Sequence, residues 1–426
     1  MDNATHAFAG LLLADATTAW IERRTGTPSN RRLRRAIVGL GIVAAELPDA
    51  DLLYSGPVVG LGKLGYLLHH RGHTHTVLFA VAAAVLMWWA VLAIRRRAAE
   101  QFDARERTPL LVLAMTASLS HLLLDYSNSY GVHPFWPVDN RWVYGDAVFI
   151  VEPWLWVVAI PPLLFGPRRL WSRVLLSALL CIILFASWTL GELTRSGAVV
   201  VTIGVTLWLL AQRWIPSPRR VLAGVAAWCV VEAVFVASSA QARTMLRPPL
   251  SPGERIVDIA LTPGAANPFC FDALVLSLTT SEYRVRSATV APWIWSRTAY
   301  AQPPQSCRTR VVTSRFYGLR GVIALSPSVV NGVRWDEQWS APLADLIALA
   351  ESRCEMAFAL RFMRVPVWDR DANGDVRLSD VRFGVGTGGF TDLRIASGPC
   401  PVSSRAWIPP WTPPRAEALA GHSGGG

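Results

Sequence analysis

The sequence predicts a mostly α-helical, multi-pass membrane domain followed by a small soluble α+β domain, and three observations predict it. Long apolar runs fill the chain up to about residue 240. Hydrophobic residues make up 52% of the 426 residues and charged residues only 17%, where an ordinary soluble domain carries about 25% charged residues. Beyond residue 250 the pattern changes to short apolar stretches broken by Pro, Gly and Ser. The division expected is a helical membrane domain over 1–240, an α+β domain over 250–415 and a disordered tail over 416–426.

The apolar runs fall at about 76–94, 109–126, 148–166, 174–190, 197–212 and 220–238. Each approaches the ~20 residues that cross a hydrocarbon core. Two shorter helical stretches precede them, at about 5–21 and 36–47, and the sequence does not decide whether these span. The net charge of +11 is carried almost entirely by Arg. Its clusters, Arg31–Arg32 with Arg34–Arg35, Arg95–Arg97 and Arg219–Arg220, lie between apolar runs, as the positive-inside rule produces. This placement speaks against nucleic acid as the partner and for membrane lipids. With the loop 95–107 cytoplasmic, the spans alternate so that 127–147 and everything after 240 lie outside. The Trp residues near span ends, such as Trp136, Trp142, Trp154 and Trp156, read as interfacial anchors.

The cysteines agree with that orientation. Cys181 and Cys229 lie in apolar runs and read as small buried side chains. Cys270, Cys307, Cys354 and Cys400 lie in the soluble part, without a Cys-x-x-Cys knuckle, and fit two disulfides in an oxidising compartment. In that part RVRSATVAPWIW, RTRVVTSRFY and GVIALSPSVV read as strands, and PLADLIALAESRCEMAFALRF as one helix leading into a strand. DRDANGD with Asp380 imitates a calcium loop, but strand-like flanks favour a β-hairpin turn.

Chemistry concentrates in four segments of the first half. His6 opens the first helix, Asp49 and Asp51 lie in ELPDAD, His69, His70, His73 and His75 lie in HHRGHTH, and His121 and Asp125 lie in SHLLLD. The i, i+4 spacing of His121 and Asp125 puts both on one helical face, where imidazole and carboxylate can grip one cation. In the topology above all four segments lie at the outer ends of their helices. A lone His or Asp at a helix end is often only a cap, but so many at one level point to a metal site.

On these residues the chain resembles the YdjM-type family of membrane-bound, metal-dependent hydrolases. The motifs are THA at 5–7, LPDAD, HRGHTHTVL, HLLLDYSNSYG and RWVYGDAVFIVEPWLW, in that order over about 1–160. The resemblance implies His6, Asp49, Asp51, His70, His75, His121 and Asp125 as site residues, with Asp146 and Glu152 as further carboxylates. The family's usual residue near Glu152 is Asp, so this chain departs there by one methylene. His69 and His73 have no counterpart. The order of ligands is also similar, more weakly, to the zinc-dependent phospholipase C and single-strand nuclease superfamily, which implies phosphoester hydrolysis and an Asp such as Asp125 bridging two ions.

The expected metal ligands are therefore His6, Asp49, His70, His75, His121, Asp125 and Asp146, holding one to three divalent ions, zinc first among them. Asp51 and Glu152 are candidates for a general base, and Arg71 for a clamp on a substrate anion. The function expected is a metal-dependent hydrolase acting on a phosphoester, lipid or envelope substrate at the outer face. The alternative is a non-enzymatic membrane protein with a structural metal site and a partner-binding outer domain. A transporter would want charges inside its spans, and those after residue 160 carry almost none besides Glu232.

Overall fold

A computed structural model describes residues 1–56, 59–97, 102–166, 168–248, 251–293, 314–325, 329–386, 388–400, 402 and 406–419. Among the described residues, ten α-helices precede the first strand: α1 Asn3–Thr25, α2 Arg31–Glu46, α3 Leu52–Ser55, α4 Gly62–His69, α5 Val77–Arg97, α6 Ala104–Ser127, α7 Pro153–Leu164, α8 Leu170–Thr189, α9 Arg195–Ala211 and α10 Ser217–Leu246. A 3₁₀ turn over Leu47–Asp51 continues α2. Among the described residues, four helices are long and apolar enough to cross a membrane: Val77–Arg97, Ala104–Ser127, Leu170–Thr189 and Arg219–Leu246.

The run at 148–166 is shorter than the sequence suggests. Only Pro153–Leu164 is helical, because Glu152 caps it and Pro161 and Pro162 bring it to an end. At 12 residues, about 18 Å, it falls short of a bilayer's ~30 Å. Leu155 to Leu163 are all buried, which makes α7 the centre of a core with α1, α8 and α9. Cys181 and Cys229, read as buried, are exposed instead, on the outer surface of α8 and α10. For helices in lipid, apolar does not mean inward.

Small residues set the packing near the site. A Cβ on Gly10 of α1 would stand 2.4 Å from the Gly41 carbonyl of α2, so the two backbones touch there. Ala44, Ala45 and Ala117 close the gap to α6, and Ser118 Oγ donates to the Ala44 carbonyl at 3.2 Å. Close approach through small residues is how helices associate where lipid removes the hydrophobic drive. It also brings His6, one turn before Gly10, level with the C-terminal end of α2.

The helices alternate so that two unlike ends form. One gathers Arg23, Arg34, Arg168, Arg173 and Arg220 around the α1–α2, α7–α8 and α9–α10 connections. The other gathers the start of α1, the segment 47–76, the end of α6 and the soluble domain. That domain begins with an antiparallel sheet in the order β1-β2-β3-β6-β4, built from β1 Arg255–Gly264, β2 Asn267–Leu278, β3 Glu282–Val290, β4 Ile323–Ala324 and β6 Val333–Pro342, with β5 Val329–Val330 also on β6. A second sheet, β7 Pro366–Arg370, β8 Val376–Asp380 and β9 Leu393–Ile395, packs behind it.

Several local expectations change. The stretch 343–363 breaks at Arg353, whose extended backbone separates α11 Leu343–Ser352 from α12 Cys354–Ala359. Of RTRVVTSRFY, residues 308–313 lie outside the described residues, and 314–317 lead into a turn rather than a strand. The tail is not wholly disordered: Ala416–Leu419 form α13 with Ala418 buried, while 420–426 lie outside the described residues. Asp369–Asp375 make the β7–β8 hairpin, with Arg394 pairing Asp371 and Asp375 and Arg320 pairing Asp369. Cys354 and Cys400 form a disulfide and Cys270 is disulfide-bonded as well; Cys307 lies outside the described residues.

The two domains meet through buried charge. Arg364, 1% exposed, donates to Asp146 Oδ1 at 2.7 Å and to Asp258 Oδ2 at 2.5 Å. Arg243 reaches Asp146 from α10, and Arg415 reaches Asp258 from the C-terminal segment. That segment also lies across the HHRGHTH loop. Trp411 Nε1 donates to the Leu68 carbonyl at 2.7 Å, and the Trp407 ring stacks on His73.

Candidate metal centre

Four elements deliver the site. The 3₁₀ turn after α2 presents Asp49 and Asp51, the loop between α4 and α5 presents His70, Arg71 and His75, and the last turns of α6 present His121 and Asp125. His6 enters from the first turn of α1, whose N-cap is Asp2. His6, Asp51, His75 and His121 have no exposed surface, and Asp125 has 1%.

Two groups of ligand atoms result. Asp49, His75, His121 and Asp125 form one and Asp49, Asp51 and His70 the other, with the atoms of each group within 4.8 Å of one another. In the first, His75 Nε2 stands 3.3 Å from Asp49 Oδ1, 3.1 Å from Asp125 Oδ2 and 3.2 Å from His121 Nε2. His121 Nε2 stands 3.6 Å from Asp49 Oδ1 and 3.5 Å from Asp125 Oδ2. In the second, His70 Nδ1 meets Asp51 Oδ1 at 2.9 Å. The carboxylate common to both is Asp49, where the ligand-order similarity implied Asp125.

The surrounding hydrogen bonds fix which atoms face inward. His121 Nδ1 bonds the Ala45 carbonyl at 2.6 Å. A carbonyl only accepts, so Nδ1 holds the proton and Nε2 turns a lone pair toward the carboxylates. On His75, Nδ1 meets Thr74 Oγ1 at 3.1 Å and Asp51 Oδ2 at 3.3 Å, which leaves Nε2 for the group. Holding the distal ring nitrogen on a carbonyl or carboxylate is the usual way a protein aims a metal-binding imidazole. Two nitrogens and two carboxylate oxygens facing each other repel unless a proton or a metal cation lies among them. Two His and two Asp are a donor set that suits zinc or a similar divalent ion.

Electrostatics say the same. Three buried carboxylates, Asp49, Asp51 and Asp125, stand against the Arg71 guanidinium and the Met1 nitrogen, which bonds Asp125. Burial alone would lower the His75 pKa, but hydrogen bonds to Asp125, Asp49 and Asp51 raise it to about 10. Burial would raise Asp49 and Asp51, yet their histidine partners hold both well below the usual carboxylate range. The cluster thus favours a positive charge among its carboxylates. His6 adds a further sign: both its ring nitrogens are buried without a hydrogen-bond partner. It stacks on His121 with ring centroids 3.8 Å apart, and its Nε2 lies 3.5 Å from Asp125 Oδ1. A buried orphan of this kind costs about 1–3 kcal/mol unless something takes it up.

Arg71 serves the cluster from within. Its φ of 59°, a left-handed conformation costing about 1–2 kcal/mol outside glycine, turns the backbone N–H onto Asp51 Oδ2 at 2.8 Å. The same residue's Nη2 holds Asp125 Oδ1 at 2.8 Å, so that Oδ2 faces the first group. Buried and engaged, it is placed to position Asp125 rather than to clamp a substrate. Asp51, expected as a free base, accepts from Arg71 N and from Thr74 Oγ1 at 2.9 Å and pairs with His70.

Two expected residues stand apart. Asp146 is taken by Arg364 and Arg243 at the domain junction. Glu152 caps α7 through Trp154 N and accepts from Ala266 N in the β1–β2 turn; burial raises its pKa to about 8. His69 and His73 turn into an aromatic cluster with Trp407, Trp411 and Trp136. Sequence reasoning missed Thr74, the Ala45 carbonyl and His133. The last is wedged between Trp142 and Trp411, and burial pulls its pKa down to about 3. An HTH spacing flags Thr74 in retrospect; a backbone carbonyl gives no sequence signal.

Comparison with known proteins bears on the same half of the chain. The family model described as YdjM inner membrane protein matches residues 1–194. An uncharacterized protein of Bacillus subtilis (strain 168), YfhP, is 24% identical over 158 residues, 37% of this chain and 43% of that protein. The match thus spans less than half the length of that relative. No solved structure matches the chain. The match to the YdjM inner membrane protein family covers residues 1–194, which supply every member of both ligand groups.

Proposed function

We propose that this protein is a membrane-bound metal-dependent hydrolase acting on a phosphoester of a lipid or other envelope substrate. The observation that carries the reading is the pair of ligand groups sharing Asp49, with the inward atoms of His75 and His121 fixed from behind. A divalent ion held there supplies Lewis acidity and a water-derived nucleophile at neutral pH. The chain's own residues do the rest. Arg71 orients Asp125, Asp51 and Thr74 orient His75, and burial keeps bulk water from the charged layer. His70, whose side chain keeps 11% exposure, is the member of the cluster through which a substrate has access. By the positive-inside rule, the Arg-rich end of the bundle supports a cytoplasmic position for that end and an outer position for the cluster and the disulfide-bearing domain.

A lipid substrate is favoured by a groove of about 410 Å³ between α1, α6 and α10. Its walls, among them Leu12, Leu123, Leu124, Trp228 and Val236, are mostly apolar, with Glu232 the charged exception, and Leu123 and Leu124 share the helix turn that carries His121 and Asp125. A second reading, a purely structural metal site, is favoured by the burial of the first group, since closed sites are commonly structural. Purified protein of known metal content, assayed on phospholipids and phosphate esters, separates the two. Hydrolysis by the wild type that disappears in His121→Ala supports the enzyme. A metal-loaded wild type that hydrolyses nothing, with His121→Ala merely less stable, supports the structural site.

A further inference from the structure

At the end of the bundle opposite the metal centre, a cavity of about 600 Å³ opens among α1, the start of α2, the α7–α8 connection and the start of α10. Its volume lies within the range of small-ligand sites. Two carboxylates line it and both are committed: Asp15 Oδ2 to Arg168 at 2.6 Å, and Glu22 Oε1 to Arg34 at 2.8 Å. Three further guanidiniums line it, those of Arg23, Arg173 and Arg220, and none has a carboxylate partner among the described residues. Arg220 spends Nε on the Gln212 and Ile215 carbonyls, and Arg173 reaches only the Gly166 carbonyl at 3.3 Å. The cavity therefore carries an excess of three positive charges. Crowding continues outside it, where Arg31 and Arg35 push the Arg169 pKa below its usual range.

The inner wall is of another kind. Pro162, Phe165 and Val221 give it an apolar side toward the bundle. One face is thus cationic at the level where the helices end, and the other apolar toward the membrane core. Free anions need only the first of these features; a phosphate group esterified to a hydrocarbon-bearing glycerol matches both. Basic pockets between membrane helices on the cytoplasmic side are suited to such headgroups.

We propose that this cavity binds the headgroup of an anionic phospholipid, with Arg23, Arg173 and Arg220 around the phosphate and Pro162, Phe165 and Val221 against the glycerol end. The site is independent of the metal centre and of any hydrolysis there. Native mass spectrometry of the detergent-purified full chain tests it, with phosphatidylglycerol, phosphatidylethanolamine and inorganic phosphate as separate probes. Phosphatidylglycerol is expected to be retained in preference to phosphatidylethanolamine and to resist millimolar phosphate. Arg23→Gln with Arg173→Gln, both exposed positions, weakens retention about fivefold per arginine removed. Arg96→Gln with Arg97→Gln, on the same end but outside the cavity, keeps it. Equal retention of the two lipids, displacement by phosphate, or loss of binding in the Arg96/Arg97 control as large as in the cavity variant each overturns the proposal. So does a correctly melting Arg23/Arg173 variant that binds as the wild type does.

Discussion

The protein contains two buried clusters of carboxylates, and they are built on opposite terms. At the domain junction Asp146 and Asp258 face three guanidiniums, Arg364, Arg243 and Arg415, and each carboxylate has its countercharge in place. At the candidate metal centre Asp49, Asp51 and Asp125 face chiefly imidazoles, with lone pairs turned toward one another and His6 unpartnered. The first cluster is complete as protein. The second lacks a fixed countercharge for each carboxylate and leaves room for a cation or for protons on its imidazoles. Buried Asp residues of equal depth thus do different work, and the hydrogen-bond accounting around each, not its burial, tells them apart.

The sharpest way to break this contrast is to neutralise one carboxylate in each cluster. Asp49→Asn removes the oxygen ligand common to both groups, and bound divalent metal, measured by elemental analysis of folded protein, should fall to background. Asp146→Asn should leave the metal content per folded chain unchanged. Next in size is Arg364→Met, which removes the guanidinium shared by Asp146 and Asp258 and leaves them Arg243 and Arg415; the cost should approach that of a broken buried pair, about 3–5 kcal/mol, read by chemical denaturation in detergent, again with metal content preserved. Thr74→Val touches only the support of His75 and Asp51. It should weaken metal affinity about 10–100-fold, as loss of such orienting contacts does, in a competition titration with a chelator.

The smallest effect is a pH dependence outside both clusters. Glu152 keeps its proton to about pH 8 in the fold, against an ordinary value of 4.5. The folded state therefore holds a proton that the unfolded chain releases between those values, and stability from this residue falls as pH rises through that window. Glu152→Gln should flatten the decline in a series of melts from pH 5 to pH 9. A parallel decline in wild type and variant would show that Glu152 is not its source.

Much of this was legible in the sequence, for physical reasons. The long apolar runs of α5, α6, α8 and α10 follow from the need to face lipid. The i, i+4 pair His121 and Asp125 lies on one helical face by geometry alone. Asp146 could not be placed, because its partner Arg364 is 218 residues away and nothing local distinguishes a ligand from half of an ion pair. The short α7 was concealed by apolar residues flanking it that lie in turns and bends rather than in the helix. The C-terminal Trp407 and Trp411 gave no sign that they would cover the histidine loop, since packing across such a separation leaves no local pattern.

The central claim is that imidazoles and carboxylates of the membrane domain hold a divalent ion. Zinc-edge X-ray absorption on the zinc-loaded protein tests it most directly. The account predicts a first shell of nitrogen and oxygen at about 2.0–2.2 Å with no sulfur, lost in Asp49→Asn. A thiolate shell at about 2.3 Å, or an identical spectrum from the Asp49→Asn protein, would contradict it.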